Sequence, residues 1–77
     1  MTHLTVQLIA QKLKNGKFKA NFQIQTYCDG ELNDTPYYLS GEYSTKEEAY
    51  KVAEIKAFEH IKHNYPEDTK FSLKKRL

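Results

Sequence analysis

The chain has no tryptophan, a single cysteine, two prolines and three glycines among 77 residues. With Cys28 alone no disulfide can close within it, and a domain this small without one is expected in a reducing, cytoplasmic setting. Long apolar runs are missing as well. The longest near the start is Leu8-Ile9-Ala10, far short of the roughly 20 residues that span a bilayer, and Met1-Thr2-His3 has no basic n-region, so neither a signal peptide nor a membrane contact is expected. The three glycines stand far apart, which excludes a phosphate-cradling loop. Nor is one sign of charge in excess: 12 Lys+Arg against 10 Asp+Glu leave +2, too little to call for a polyanionic partner.

The length allows one small domain, residues 1–77. Such a chain buries only about 60% of the surface its unfolded form exposes, so its core is marginal and a partner or self-association is expected.

The first half reads in period two. Leu4, Val6, Leu8 and Ala10 alternate with polar residues, as do Phe18, Ala20, Phe22 and Ile24, the pattern of half-buried strands. A two-residue turn at Asn15-Gly16 would put the two apolar sets out of phase. A three-residue loop, Lys14-Asn15-Gly16, with Gly16 in a left-handed bulge position, sets Leu8 opposite Phe22, Val6 opposite Ile24 and Ala10 opposite Ala20. Burial of one face therefore selects the second register. Tyr27 to Pro36, rich in Asp, Asn and Gly, reads as a loop, and Tyr37, Leu39, Gly41 and Tyr43 as alternate residues of a third, antiparallel strand.

At Ser44 the period changes to 3.6. Ser44 with Glu47, and Thr45 with Glu48, both match the capping box, and a helix is expected from about Thr45 to His63 or Asn64. Ala49, Ala53, Ala57 and Ile61 form its apolar stripe, and Pro66 stops it. Thr69 to Leu73 reads as a fourth short strand, Phe71 and Leu73 on one side, before a flexible basic tail at 74–77. The expected fold is α+β: an antiparallel sheet of three or four strands with one helix on one face, in the order β-β-β-α-(β). Its expected core is Val6, Leu8, Phe22, Ile24, Leu39, Tyr43, Ala53, Ala57 and Ile61.

Charge is segregated along the chain. Residues 1–27 carry four lysines and no acid, residues 28–43 carry four acids and no base, 44–65 balance, and 66–77 carry four bases against two acids. Such a dipolar module suits a partner surface of both signs better than a polyanion. His60 and His63 share a helix edge but lack the companion of a metal motif, so no metal or cofactor is expected. Cys28 has no base beside it, and Glu47-Glu48 are explained by capping, so no catalytic constellation and no enzyme is expected. The sheet face away from the helix presents amides and a few apolar residues, and Gln7, Ile9, Gln11, Leu13, Gln23 and Tyr38 are the candidate partner contacts. It lacks the stacked aromatics on adjacent strands of a single-stranded-RNA platform. Edge pairing into a homodimer is a further expectation.

From Gly41-Glu42-Tyr43-Ser44-Thr45-Lys46-Glu47-Glu48-Ala49 through Ala57-Phe58 the chain resembles the C-terminal half of a double-stranded-RNA-binding domain, and the strand order extends the likeness over residues 4–64. The family's first helix has no counterpart. Of its phosphate-binding lysines Lys46 is present, with Glu47 and Tyr50 at the other two positions. The resemblance implies duplex RNA as an alternative partner, contacted by Lys14, Lys17, Lys46 and Lys51. Shortened folds of this order also resemble small antitoxin subunits of the HicB type, which bind a protein partner. A non-catalytic protein-interaction module, antitoxin-like, inhibitory or regulatory, is therefore the first functional expectation.

Overall fold

A computed structural model describes residues 3–28 and 30–76. The elements run β1 (His3–Lys12), β2 (Phe18–Cys28), β3 (Glu31–Tyr38), α1 (Lys46–Asn64) and β4 (Lys70–Arg76). The strands form one sheet in the order β3-β2-β1-β4, with the helix packed over β1 and β2. This is the α+β order expected, with one refinement: β4 lies parallel to β1, so the sheet is mixed.

The first hairpin has the derived register, with Val6 opposite Ile24 and Leu8 opposite Phe22. Its loop closes through Gly16 N–H donating to the Leu13 carbonyl at 3.0 Å and Leu13 N–H donating to Lys17 at 2.7 Å. Gly16 has φ +86°, the left-handed conformation of the bulge position. This register puts Leu4, Val6, Leu8, Ala20, Phe22 and Ile24 on one face, where they meet Ala49, Tyr50, Ala53, Ala57 and Ile61 of the helix. The alanines at i+4 let the helix backbone approach the sheet closely, and each large aliphatic buried there contributes about 1.5–3 kcal/mol.

The third strand is displaced from its expected place. It spans Glu31–Tyr38 rather than 37–43, so most of the expected loop is strand. Cys28 pairs with Glu31, leaving a two-residue connection in which Gly30 has φ +82°; Asp29 lies outside the described residues. The strand is polar because it is an edge with little to bury: only Tyr37 along it is half-buried. Gly41 at φ +103° breaks the extended path, so residues 39–43 do not continue the strand, and only an isolated bridge joins Tyr43 to Phe18. Leu39 and Tyr43 accordingly pack beside the core half-buried, while Leu4, Ala20, Ala49 and Tyr50 complete it.

Thr45 is the helix N-cap, its hydroxyl accepting from Glu48 N–H at 3.2 Å, and the Ser44 hydroxyl donates to the Glu48 carboxylate at 3.3 Å. At the other end Tyr65 is extended, the conformation that a following proline favours, and its N–H donates to the Ile61 carbonyl. A turn closed by Thr69 N–H on the Pro66 carbonyl then feeds β4. The expected flexible tail is corrected here: Lys74, Lys75 and Arg76 belong to β4, paired with Gln7, Leu8 and Ile9, and Leu77 lies outside the described residues. Backbone pairing with β1 supplies what a basic composition alone does not advertise.

Candidate functional site

Alternation dictates what the sheet shows on the side away from the helix. Since Leu4, Val6 and Leu8 are buried in the core, His3, Thr5, Gln7, Ile9 and Gln11 face outward. The pairings then build rows across all four strands. Leu32, Tyr27, His3 and Lys70 form the first; Asp34, Gln25, Thr5 and Ser72 the second; Pro36, Gln23, Gln7 and Lys74 the third; Tyr38, Asn21, Ile9 and Arg76 the fourth.

Five of the six expected contacts therefore share one surface. Gln7 and Gln23 are directly opposite, Ile9 and Tyr38 flank Asn21 on either side, and Gln11 receives a long hydrogen bond from the Asn21 amide at 3.5 Å. Leu13 sits beyond the end of β1, half-buried at the hairpin loop. Tyr38 is 78% exposed, and Tyr27 and Leu32 at the far end of the face are each 61% exposed. Asn21 is the exception, only 5% exposed, with its Oδ1 lacking any hydrogen-bond partner. Ser40 and Glu42, which alternate with Leu39, Gly41 and Tyr43, lie beyond the end of the displaced strand, and the Glu42 carboxylate accepts from the Asn15 amide at 2.9 Å.

Pattern reading placed Lys19 on this face but missed the cations of β4. Lys70, Lys74 and Arg76 alternate along β4 and fall on the open face, joined by Lys19 on β2; among the described strand residues the one acid facing them is Asp34. The guanidinium of Arg76 reaches across β1 to donate to Gln23 Oε1 at 3.2 Å, and His3 Nε2 meets the Ser72 hydroxyl at 3.1 Å. The signal was present as Lys70-x-Ser72-x-Lys74-x-Arg76, the complement of Phe71 and Leu73, but only the pairing with β1 turns it into part of a surface.

The lysines of the duplex-RNA alternative are arranged differently. Lys14 and Lys17 are exposed in the first hairpin loop, which the Phe18–Tyr43 bridge ties to the segment leading into the helix. Lys46 and Lys51 are exposed on the helix, but five residues apart they diverge by about 140° around its axis. Glu42, Glu47 and Glu48 stand in the same region.

On the helix side, His60 lies in an aromatic cluster, its ring 4.4 Å from Tyr37, which stacks on Phe22 at 4.9 Å. An open groove of about 390 Å³ beside it is lined in part by Tyr38, Lys56, His60, His63 and Asn64. A second, of about 420 Å³, runs between the helix C-terminus and the start of β4. Among the described residues no three His, Cys, Asp or Glu side chains come together as a metal-binding group, and no helix is long and apolar enough to cross a membrane. No protein-family model matches the chain, and neither a curated protein nor a solved structure matches it significantly.

Proposed function

We propose that the protein is a non-catalytic interaction module of the cytoplasm, which holds a protein partner against the open face of its sheet in an inhibitory or regulatory role. One observation carries this reading: Gln7, Ile9, Gln11, Gln23 and Tyr38 lie together on a face whose opposite side alone holds the core. An exposed tyrosine, a half-buried isoleucine, five amides and a guanidinium already poised on Gln23 supply the aromatic, apolar and hydrogen-bonding elements of a protein interface. The divergence of Lys46 from Lys51, and the carboxylates among the four lysines, weigh against duplex RNA, whose binding rests on phosphate contacts.

A photo-crosslinking residue placed at Gln23 or Tyr38 tests the reading, with Lys51 and Lys62 on the exposed helix as controls. In the cells of origin the sheet positions yield a discrete protein adduct that the helix positions do not. Adducts to RNA, or equal labelling from both faces, overturn it. A salt titration against duplex RNA is the companion measurement: steeply salt-dependent binding that the Lys46→Ala, Lys51→Ala pair weakens would establish the RNA reading instead.

A further inference from the structure

The two outer edges of the sheet differ. On β3, Pro36 removes a backbone donor from the middle of the edge, a common guard against strand pairing. β4 carries neither proline nor glycine and keeps unbroken register with β1 from Lys70 to Arg76. Its helix-side residues leave it open too: along the strand only Phe71 is half-buried and the rest is exposed. Among the described residues no strand therefore lies beside the outward backbone groups of β4.

The side chains of this edge are sorted by face. Lys70, Ser72, Lys74 and Arg76 point to the open side, whereas Phe71, Leu73 and Lys75 point to the helix side, the Lys75 ammonium lying over the Tyr50 ring. Beside the second set lies an apolar margin, with Phe58 edge-on to Phe71 at 5.4 Å and Ile55 one turn earlier on the helix, 48% exposed. Among the described residues the one ion pair joins Lys56 and Glu59, so no carboxylate there neutralises the cations of β4.

Resting on the reading as a protein-interaction module, we propose that an extended segment of the partner adds to the sheet as a fifth strand alongside β4. Its side chains alternate, acidic towards the open face and apolar towards the helix. Strand addition satisfies the unpaired backbone groups, and the alternate side chains set the specificity. A second copy of β4 is the wrong occupant, because antiparallel pairing would set Lys and Arg against Lys and Arg, and like charges across a pair are destabilising. A nucleic-acid strand is also poorly matched. Its phosphates on β4 would leave Tyr38 three strands away, about 14 Å, and its backbone has nothing to complete a ladder.

A labelled synthetic peptide alternating Glu and Val, titrated against the full chain by fluorescence anisotropy, tests this. It binds about tenfold or more tightly than a peptide of the same composition with Glu and Val in separate blocks, and the advantage shrinks as salt rises. Methylating alternate backbone nitrogens of the peptide gives two isomers, of which one loses binding and the other keeps it, since only every second amide faces β4. The Lys74→Glu, Arg76→Glu variant loses the Glu-Val peptide and gains an alternating Lys-Val peptide, a switch that mere loss of folding does not produce. Equal binding of blocked and alternating peptides, binding of both methylated isomers, or displacement of the peptide by a uridine oligonucleotide overturns the fifth strand. If the peptides fail while Gln23 and Tyr38 still crosslink a protein, the fifth strand falls and the interaction module stands; if the crosslinks fail as well, both fall.

Discussion

The Tyr50 hydroxyl donates to the Arg76 carbonyl at 2.7 Å, joining the first turns of the helix to the last residue of β4. The Tyr50 ring itself is buried against the core, and the Lys75 ammonium lies 5.6 Å from its centre. One side chain thus anchors the end of a strand that the helix otherwise covers little. Tyr50→Phe keeps the ring and removes the bond, at a cost of about 0.5–1.5 kcal/mol by urea denaturation. Amide exchange should quicken at Lys74, Lys75 and Arg76 more than at Lys70, the local signature of an unpinned strand end. Uniform acceleration across the sheet would show that the bond has no local role.

The hairpin bulge makes a second expectation specific. A Cβ at Gly16 meets nothing within 4 Å, so any penalty for substitution comes from φ +86° alone. Gly16→Ala is expected to cost about 1–2 kcal/mol, and Gly16→Asn distinctly less, because asparagine tolerates the left-handed region. Equal loss in the two variants would assign the cost to something other than backbone conformation.

Two overlapping capping boxes were visible in the sequence, and one of them makes the cap. Thr45→Ala removes the acceptor for Glu48 N–H and is expected to cost about 1 kcal/mol, whereas Ser44→Ala stays within about 0.5 kcal/mol. Thermal or urea unfolding of the two variants side by side decides it; the reverse order would move the cap to Ser44.

How much of this was legible follows from where each residue gets its free energy. The β1–β2 register could be derived because Val6, Leu8, Phe22 and Ile24 all have to reach one face, and a one-residue slip would expose them. Asn33, Asp34 and Thr35 of β3 bury almost nothing, so their composition records turn preferences rather than the ladder that holds them. The same holds for Lys74 to Arg76, whose strand state depends on backbone pairing with residues almost seventy positions away. The placement of Gln7 and Gln23 on the open face was therefore legible from local alternation. Their cationic neighbours were not, since the alternation of Lys70, Ser72, Lys74 and Arg76 does not say that this strand pairs in parallel with β1.

Asn21 carries the last expectation. It sits on the open face between Ile9 and Tyr38, 5% exposed, donating a long 3.5 Å hydrogen bond to Gln11 and leaving Oδ1 buried without a partner. An unsatisfied buried acceptor costs about 1–3 kcal/mol, more than so long a bond returns, and Gln11 is exposed and can turn to water. Asn21→Val removes the orphan oxygen and places a β-branched residue in the middle of a strand. Stability should rise by about 1 kcal/mol, read as a higher urea midpoint at unchanged slope. If the amide instead serves the partner, the same variant gains stability and loses the crosslink from Tyr38. A fall in stability would mean that the buried amide is held in a way its hydrogen-bond geometry does not account for.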